Sequence, residues 1–169
     1  MPPIAMPFST QPADQATPDR PVFLADHMAV KLGKYLRIAG FDVIWDTTVR
    51  THELILRANR EGRVFLTRNR HLPYAYPQPD RLWLLDSADP VEQLREVATG
   101  WGLNVEDRLF TRCIRCNVTL DKVPDKGAIR NRIHPNVYAR YEQFYHCPRC
   151  GTVFWRGSHV QNTRCKWGL

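Results

Sequence analysis

Two C-x-x-C pairs, Cys113 with Cys116 in TRCIRCN and Cys147 with Cys150 in HCPRCGTVFW, constrain this chain more than any other feature. Each pair bends the backbone so that two thiolates reach one point, and Pro148 and Gly151 favour the tight turn. Thirty residues separate the pairs, so the chain must return on itself to bring them together. Four thiolates then form a closed tetrahedral site for a structural Zn2+, with no open position for catalysis. A redox dithiol would need only one pair. Cys165 is left over. The amino terminus, MPPIAMPFSTQPADQATPDR, has no basic start followed by an apolar run, so neither a secretory signal nor a membrane anchor is read. No other stretch has the length to span a bilayer. The expectation is a soluble, cytoplasmic protein with a flexible tail over residues 1–20, in which metal ligation is a better use of cysteine than disulfides.

The net charge of +7 is unevenly spread. Residues 1–106 hold twelve Lys and Arg against thirteen Asp and Glu, whereas residues 107–169 hold twelve against four, so an excess of +8 belongs to the last third. A localised basic excess is an electrostatic footprint for a polyanion, most often nucleic acid. In the same segment Arg112, Arg115, Arg130, Arg132, Arg140, Arg149 and Arg156 alternate with Tyr138, Tyr141, Phe144, Tyr145, Phe154 and Trp155. Guanidinium groups for phosphates and rings for stacking suit single-stranded RNA or DNA, although half of those rings are needed for the segment's own small core.

Ahead of the cysteines the pattern is that of an α/β domain. Val22 to Ala25 reads as a strand, and Asp26 then leads into apolar residues Met28, Leu32, Tyr35, Leu36 and Ala39 at helical spacing. Gly40 suits a left-handed stop, and Phe41 to Trp45 resumes as a strand. Strand, helix, strand makes the two strands parallel and sets Asp26 at a carboxyl edge, where such sheets hold ligands. A helix over 51–60 with Leu54, Ile55 and Ala58 buried, a strand over 63–66, a strand over 82–85 and a helix capped by Asp89 complete the pattern. The helix signals are Pro90, Glu92 and the stripe Val91, Leu94, Val97, Ala98 and Trp101. Together they predict a small, mostly parallel four-stranded sheet over residues 21–106, followed by a zinc-ribbon module over 107–169.

Polar residues collect at the predicted strand ends: Asp26, Asp46, Thr67, Asn69 and Asp86. Carboxylates meeting on one sheet edge repel one another unless a cation such as Mg2+ or Mn2+ joins them, and that ion can activate water against a phosphodiester. Asp46 and Asp86 read as turn residues; Asp26 differs because an apolar strand runs straight into it.

Taken together, FLADHMAVKLGKYLRIAGFDV, ELILRANREGRVFLTRNRHL, RC-x-x-CN and CPRCGTVFWRGSH resemble the Mut-seven C-terminal RNase domain family over about Val22 to His159. The resemblance implies a PIN-like nuclease domain with an attached zinc ribbon, a Mg2+- or Mn2+-dependent ribonuclease activity and a ribbon that assists RNA binding. In the ribonuclease reading Asp26 and Glu53 are catalytic metal ligands, Asn69 completes the shell, and Thr67, Arg68 and Arg70 orient phosphate; from the basic last third, Arg112, Arg115 and Arg149 are read as substrate-binding. Two positions depart from the family: His52 precedes Glu53 where an acidic pair is usual, and Thr67-Arg68-Asn69-Arg70 stands where T-R-D-R is usual. Three readings follow: a metal-dependent ribonuclease, a catalytically weak RNA-binding protein on the same fold, and an adaptor whose ribbon docks onto a protein partner.

Overall fold

The computed structural model describes residues 20–74 and 77–169. The expected flexible tail lies outside the described residues except for Arg20, as do Ala75 and Tyr76 of the proline-rich loop. The chain divides into two compact units, one holding the residues up to Gly33 with Val43–Leu103, the other Lys34–Asp42 with Asn104–Leu169. Among the described residues no helix is long and apolar enough to cross a membrane.

The first unit is built on a four-stranded, wholly parallel sheet in the order β2-β1-β3-β4. The strands are β1 (Phe23–Ala25), β2 (Val43–Ile44), β3 (Val64–Thr67) and β4 (Leu82–Leu84). Successive strand residues face opposite sides, yet Phe23, Leu24 and Ala25 are all fully buried, so β1 is covered on both faces. This is why it reads as an unbroken apolar run. The register pairs Phe23 with Val43 on one side and with Val64 on the other. Helix α1 (Val30–Ile38) follows β1, α2 (Thr51–Arg60) follows β2, and α3 (Pro90–Gly100) follows β4. α2 buries Leu54, Ile55 and Ala58 in a cluster with Leu24, Phe65 and Leu72, as its spacing predicts.

Asp89 caps α3 by accepting from the N–H groups of Val91 and Glu92, and Pro90 occupies the first turn. Glu92, three residues after the cap, does not complete a capping box by reaching back to the Asp89 N–H. Glu92 pairs with Arg95, and the Asp89 N–H donates to Ser87 Oγ instead. The stripe on α1 needs one correction: Met28 is 53 % exposed. Its N–H donates to Asp26 Oδ1 in a turn that ends before the helix, and Ala29 takes the buried place.

The second unit carries a three-stranded antiparallel sheet, β5 (Asp121–Lys122), β6 (Phe144–His146) and β7 (Val153–Trp155), in that order. A 3-10 segment (Lys126–Arg132) and helix α4 (Pro135–Arg140) connect β5 to β6, and α5 (Ser158–Trp167) follows β7. Around the cysteines its core is small: Cys113, Leu120 and Cys147 are buried, with Cys116, Val118, Tyr145 and Phe154 packed around them, while Phe144 and Ile129 are buried elsewhere in the unit. Helix α5 has no apolar stripe to announce it in the sequence. Trp167 alone is buried along it, its ring 5.4 Å from that of Tyr35, and Gly168 closes the helix at φ +74°.

Gly40, at φ +89°, ends α1 as expected, and here glycine is required twice over. The left-handed conformation disfavours other residues, and a Cβ would lie 2.6 Å from the Arg108 carbonyl oxygen, which is backbone and cannot swing aside. Gly40→Ala should therefore cost about 2 kcal/mol or more, from backbone strain plus overpacking. The check is a lower denaturant midpoint with an unchanged slope.

Candidate active site and metal centre

Asp26 leaves the carboxyl end of β1, one of the two inner strands of the parallel sheet, and is only 4 % exposed. Both carboxylate oxygens are held. Oδ1 accepts from the Met28 N–H at 2.8 Å, and Oδ2 accepts from the hydroxyl of Thr67 at the end of the neighbouring β3. Thr67 is itself fully buried, so its hydroxyl serves to orient Asp26. Burial pushes the Asp26 carboxyl above the usual carboxylate range, and the hydrogen bonds from Thr67, Met28 and Ala29 pull the other way.

A raised folded-state pKa means that stability is lost as pH rises from the ordinary carboxylate value through the folded value. Asp26→Asn removes that cost. The variant should melt at a higher temperature than the natural chain at pH 8, with the advantage shrinking as the pH falls towards the ordinary carboxylate value, in paired thermal melts.

The other residues singled out in the sequence have different commitments. Asn69 follows β3, its N–H donating to Thr67 Oγ1 at 3.0 Å and its Oδ1 accepting from the His71 N–H at 3.0 Å. Glu53, in the first turn of α2, is half exposed, with its carboxylate 3.9 Å from His52 Nε2. Arg68 has a buried Nε without a hydrogen-bond partner. Arg70 pairs with Asp86 at 2.7 Å on the exposed surface. Asp46 closes a turn by accepting from the N–H and hydroxyl of Thr48. Among the described residues the acids at the strand ends do not form a group of three close enough to share an ion. Asp26 and Glu53 carry carboxylate oxygens and Asn69 an amide oxygen, the donor chemistry that a hard cation takes.

The four cysteines do form such a group: the Sγ atoms of Cys113, Cys116, Cys147 and Cys150 all lie within 4.8 Å of one another. Four thiolates bound to one Zn2+ at about 2.3 Å would sit about 3.8 Å apart, and Cys113 and Cys150 are separated by 3.9 Å. The cluster can therefore hold a metal ion and is consistent with structural zinc.

Its two knuckles are built alike. In each, the N–H of the second cysteine points to the first sulfur at 3.4 Å. The next residue, Asn117 at φ +60° or Gly151 at φ +71°, donates its N–H to the carbonyl of the first cysteine. Burial pushes the Cys116 thiol up to about 12, while hydrogen bonding from Thr152 pulls Cys150 down to about 6.

The first knuckle is also fastened by residues that the sequence reading passed over. Arg37, 5 % exposed, donates through Nη1 to the carbonyls of Ile114 at 2.6 Å and Arg115 at 3.2 Å. Burial lowers its pKa to about 10, which leaves it charged at neutral pH. Asn117 Nδ2 donates to Asp42 Oδ1 at 2.8 Å. Arg112, expected to bind substrate, donates to the carbonyls of Gly40 and Asn117. Arg115 and Arg149 each precede the second cysteine of a knuckle and are exposed. Cys165 stands apart from the cluster, 3.7 Å from Gln161 Nε2.

A four-stranded parallel sheet with a buried acid at its carboxyl edge, and a four-cysteine cluster further along the same chain, make this an α/β protein with a candidate metal-binding module. The family model for the Mut7-C RNAse domain matches residues 21–166, and the chain belongs to that family. Comparison with curated proteins and with solved structures gives no match.

Proposed function

We propose that this protein is a metal-dependent ribonuclease acting on single-stranded or structured RNA. In this reading a PIN-like domain over residues 21–106 carries the chemistry, and a zinc ribbon over 107–169 aids RNA binding. Membership of the Mut7-C RNAse domain family supports a ribonuclease-like activity. The observation that carries the reading further is Asp26, a carboxylate kept in an apolar setting at a strand end and aimed by two donors. Burying a carboxylate costs stability, and such a cost is commonly met where a group works.

In the proposed site Asp26 and Glu53 supply the negative charge and Asn69 a neutral oxygen. Thr67 fixes the direction of the Asp26 carboxylate. Arg68, whose buried Nε has no hydrogen-bond partner, is available to hold a phosphate oxygen, and Arg70 can reach one by releasing Asp86. A Mg2+ or Mn2+ bound there would activate water for in-line attack on the phosphodiester. The cluster of Cys113, Cys116, Cys147 and Cys150 would take a structural Zn2+, with Arg115 and Arg149 presented to the backbone of the RNA. The cytoplasm, where thiols stay reduced, suits that cluster.

A catalytically weak RNA-binding protein is the second reading. It is favoured by the oxygen of Asn69, which brings no charge and already accepts a hydrogen bond from the chain. Incubating the zinc-loaded protein with single-stranded RNA and Mn2+, beside Asp26→Ala, separates the two. Cleavage lost in the variant supports the nuclease; binding without cleavage by the natural chain supports the second reading.

A further inference from the structure

We infer that a groove on the cysteine-bearing unit takes one unpaired base of single-stranded RNA, with Trp155 as the ring on which the base stacks. The inference rests on RNA being the ligand of this protein, and not on the protein cutting it. The groove has a volume of about 460 Å3 and is lined by Arg132, Ile133, His134, Val153 and Trp155, with Cys150 of the cysteine cluster also on its wall. No acid lines it. A cavity of similar size, about 430 Å3, lies beside β4 and also has a tryptophan, Trp83, but Asp86, Glu92 and Glu96 outnumber Arg95 on its walls. A polyanion is repelled by the second and admitted by the first, and the first belongs to the segment with the +8 excess.

The indole is held in place by its neighbours. Trp155 ends β7, with the ring of Tyr141 tilted beside it at 6.5 Å and the His159 ring edge-on at 6.0 Å. Gly157 leaves room for it, since a Cβ there would lie 2.8 Å from Trp155 Nε1. A ring fixed on three sides and half-buried gives a base a surface with little further ordering cost. Arg132 donates to the Gly151 carbonyl and so stands at the rim, and the exposed Arg156 adjoins Trp155. Both lie where a strand whose base enters the groove would carry its phosphates.

The test uses the full, zinc-loaded chain carrying Asp26→Asn so that RNA stays intact, with anisotropy of labelled ten-residue oligouridine and of an abasic strand of equal length. Trp155→Ala should weaken oligouridine binding roughly tenfold or more, while Trp155→Phe keeps it within about threefold. Abasic binding should not change. Equal affinity of the Trp155→Ala chain and its parent for oligouridine would overturn the inference, as would an equal loss on the abasic strand. If Trp155→Ala loses its zinc, Gly157→Ala takes its place, because it displaces the indole without removing it, and unchanged oligouridine binding there would again overturn the inference. Base-dependent binding in a natural chain that never cleaves RNA would reject the nuclease and keep the groove; cleavage with no base-dependent binding would do the reverse.

Discussion

Cys113→Ser or Cys147→Ser should lose the bound metal and with it the fold of residues 104–169, whereas Cys165→Ser should change stability by no more than about 0.5 kcal/mol. The asymmetry follows from the packing. Cys113 and Cys147 are fully buried at the centre of a cluster whose other members include only Leu120 as a buried aliphatic, so the end of the sheet that carries the knuckles has little apolar packing besides the ion, whatever Phe144 and Ile129 contribute elsewhere. Structural zinc in small modules contributes on the order of 10–16 kcal/mol at neutral pH, and that binding energy is folding energy. A chelator should therefore melt the second unit first, visible as early loss of amide-exchange protection in residues 144–155, while β1 and β3 keep theirs. Elemental analysis should find one zinc per chain in protein purified without chelator. Its absence would remove the basis of this prediction.

Asn69→Asp should tighten Mn2+ and raise cleavage of single-stranded RNA if the natural site is a weakened nuclease. The amide offers a neutral oxygen, and Arg68 and Arg70 on either side add positive charge that disfavours a cation. A carboxylate can still accept the His71 N–H, so the turn should survive the substitution. Asp26→Ala should abolish the gain. Groups that merely orient a metal ligand cost about 10–100-fold when removed, so loss of the ligand itself should cost more than about a hundredfold. If His52 and Glu53 already complete a working site, Asn69→Asp should matter little and the natural protein should cut RNA. Binding without cleavage by both forms would reject the nuclease and leave the RNA-binding reading.

Residues whose role is set by their near neighbours in sequence were legible. The α2 face of Leu54, Ile55 and Ala58, the Asp89 cap, the left-handed Gly40 and the parallel order of the sheet follow from period, cap chemistry and the βαβ rule. The four-cysteine cluster followed from spacing alone. What escaped was set by tertiary partners. Met28 fits the helical period but is turned outward, because the Asp26 side chain takes its N–H and delays the helix. Arg37, in the last turn of α1, carries no local mark of burial, and only its distant partners Ile114 and Arg115 explain why it is buried. Asn117 did leave a signal: it follows its C-x-x-C as Gly151 follows the other, and Asn is the residue that best tolerates the same left-handed backbone. Helix α5 left none, since its burial rests on one tryptophan.

The fastening of the first knuckle by Arg37, Gly40 and Asp42 bears on how such a chain can be inherited. A recombination event that joined the coding sequence for residues 107–169 to another gene would carry the cysteines but leave behind the guanidinium that holds the Ile114 and Arg115 carbonyls and the carboxylate that holds Asn117. The transplanted segment would begin its life in a new host with those carbonyls and that amide unmet. Its ancestry should accordingly be tied to that of α1, with the two travelling as one heritable block across lineages in spite of the sixty-odd residues of sequence between them.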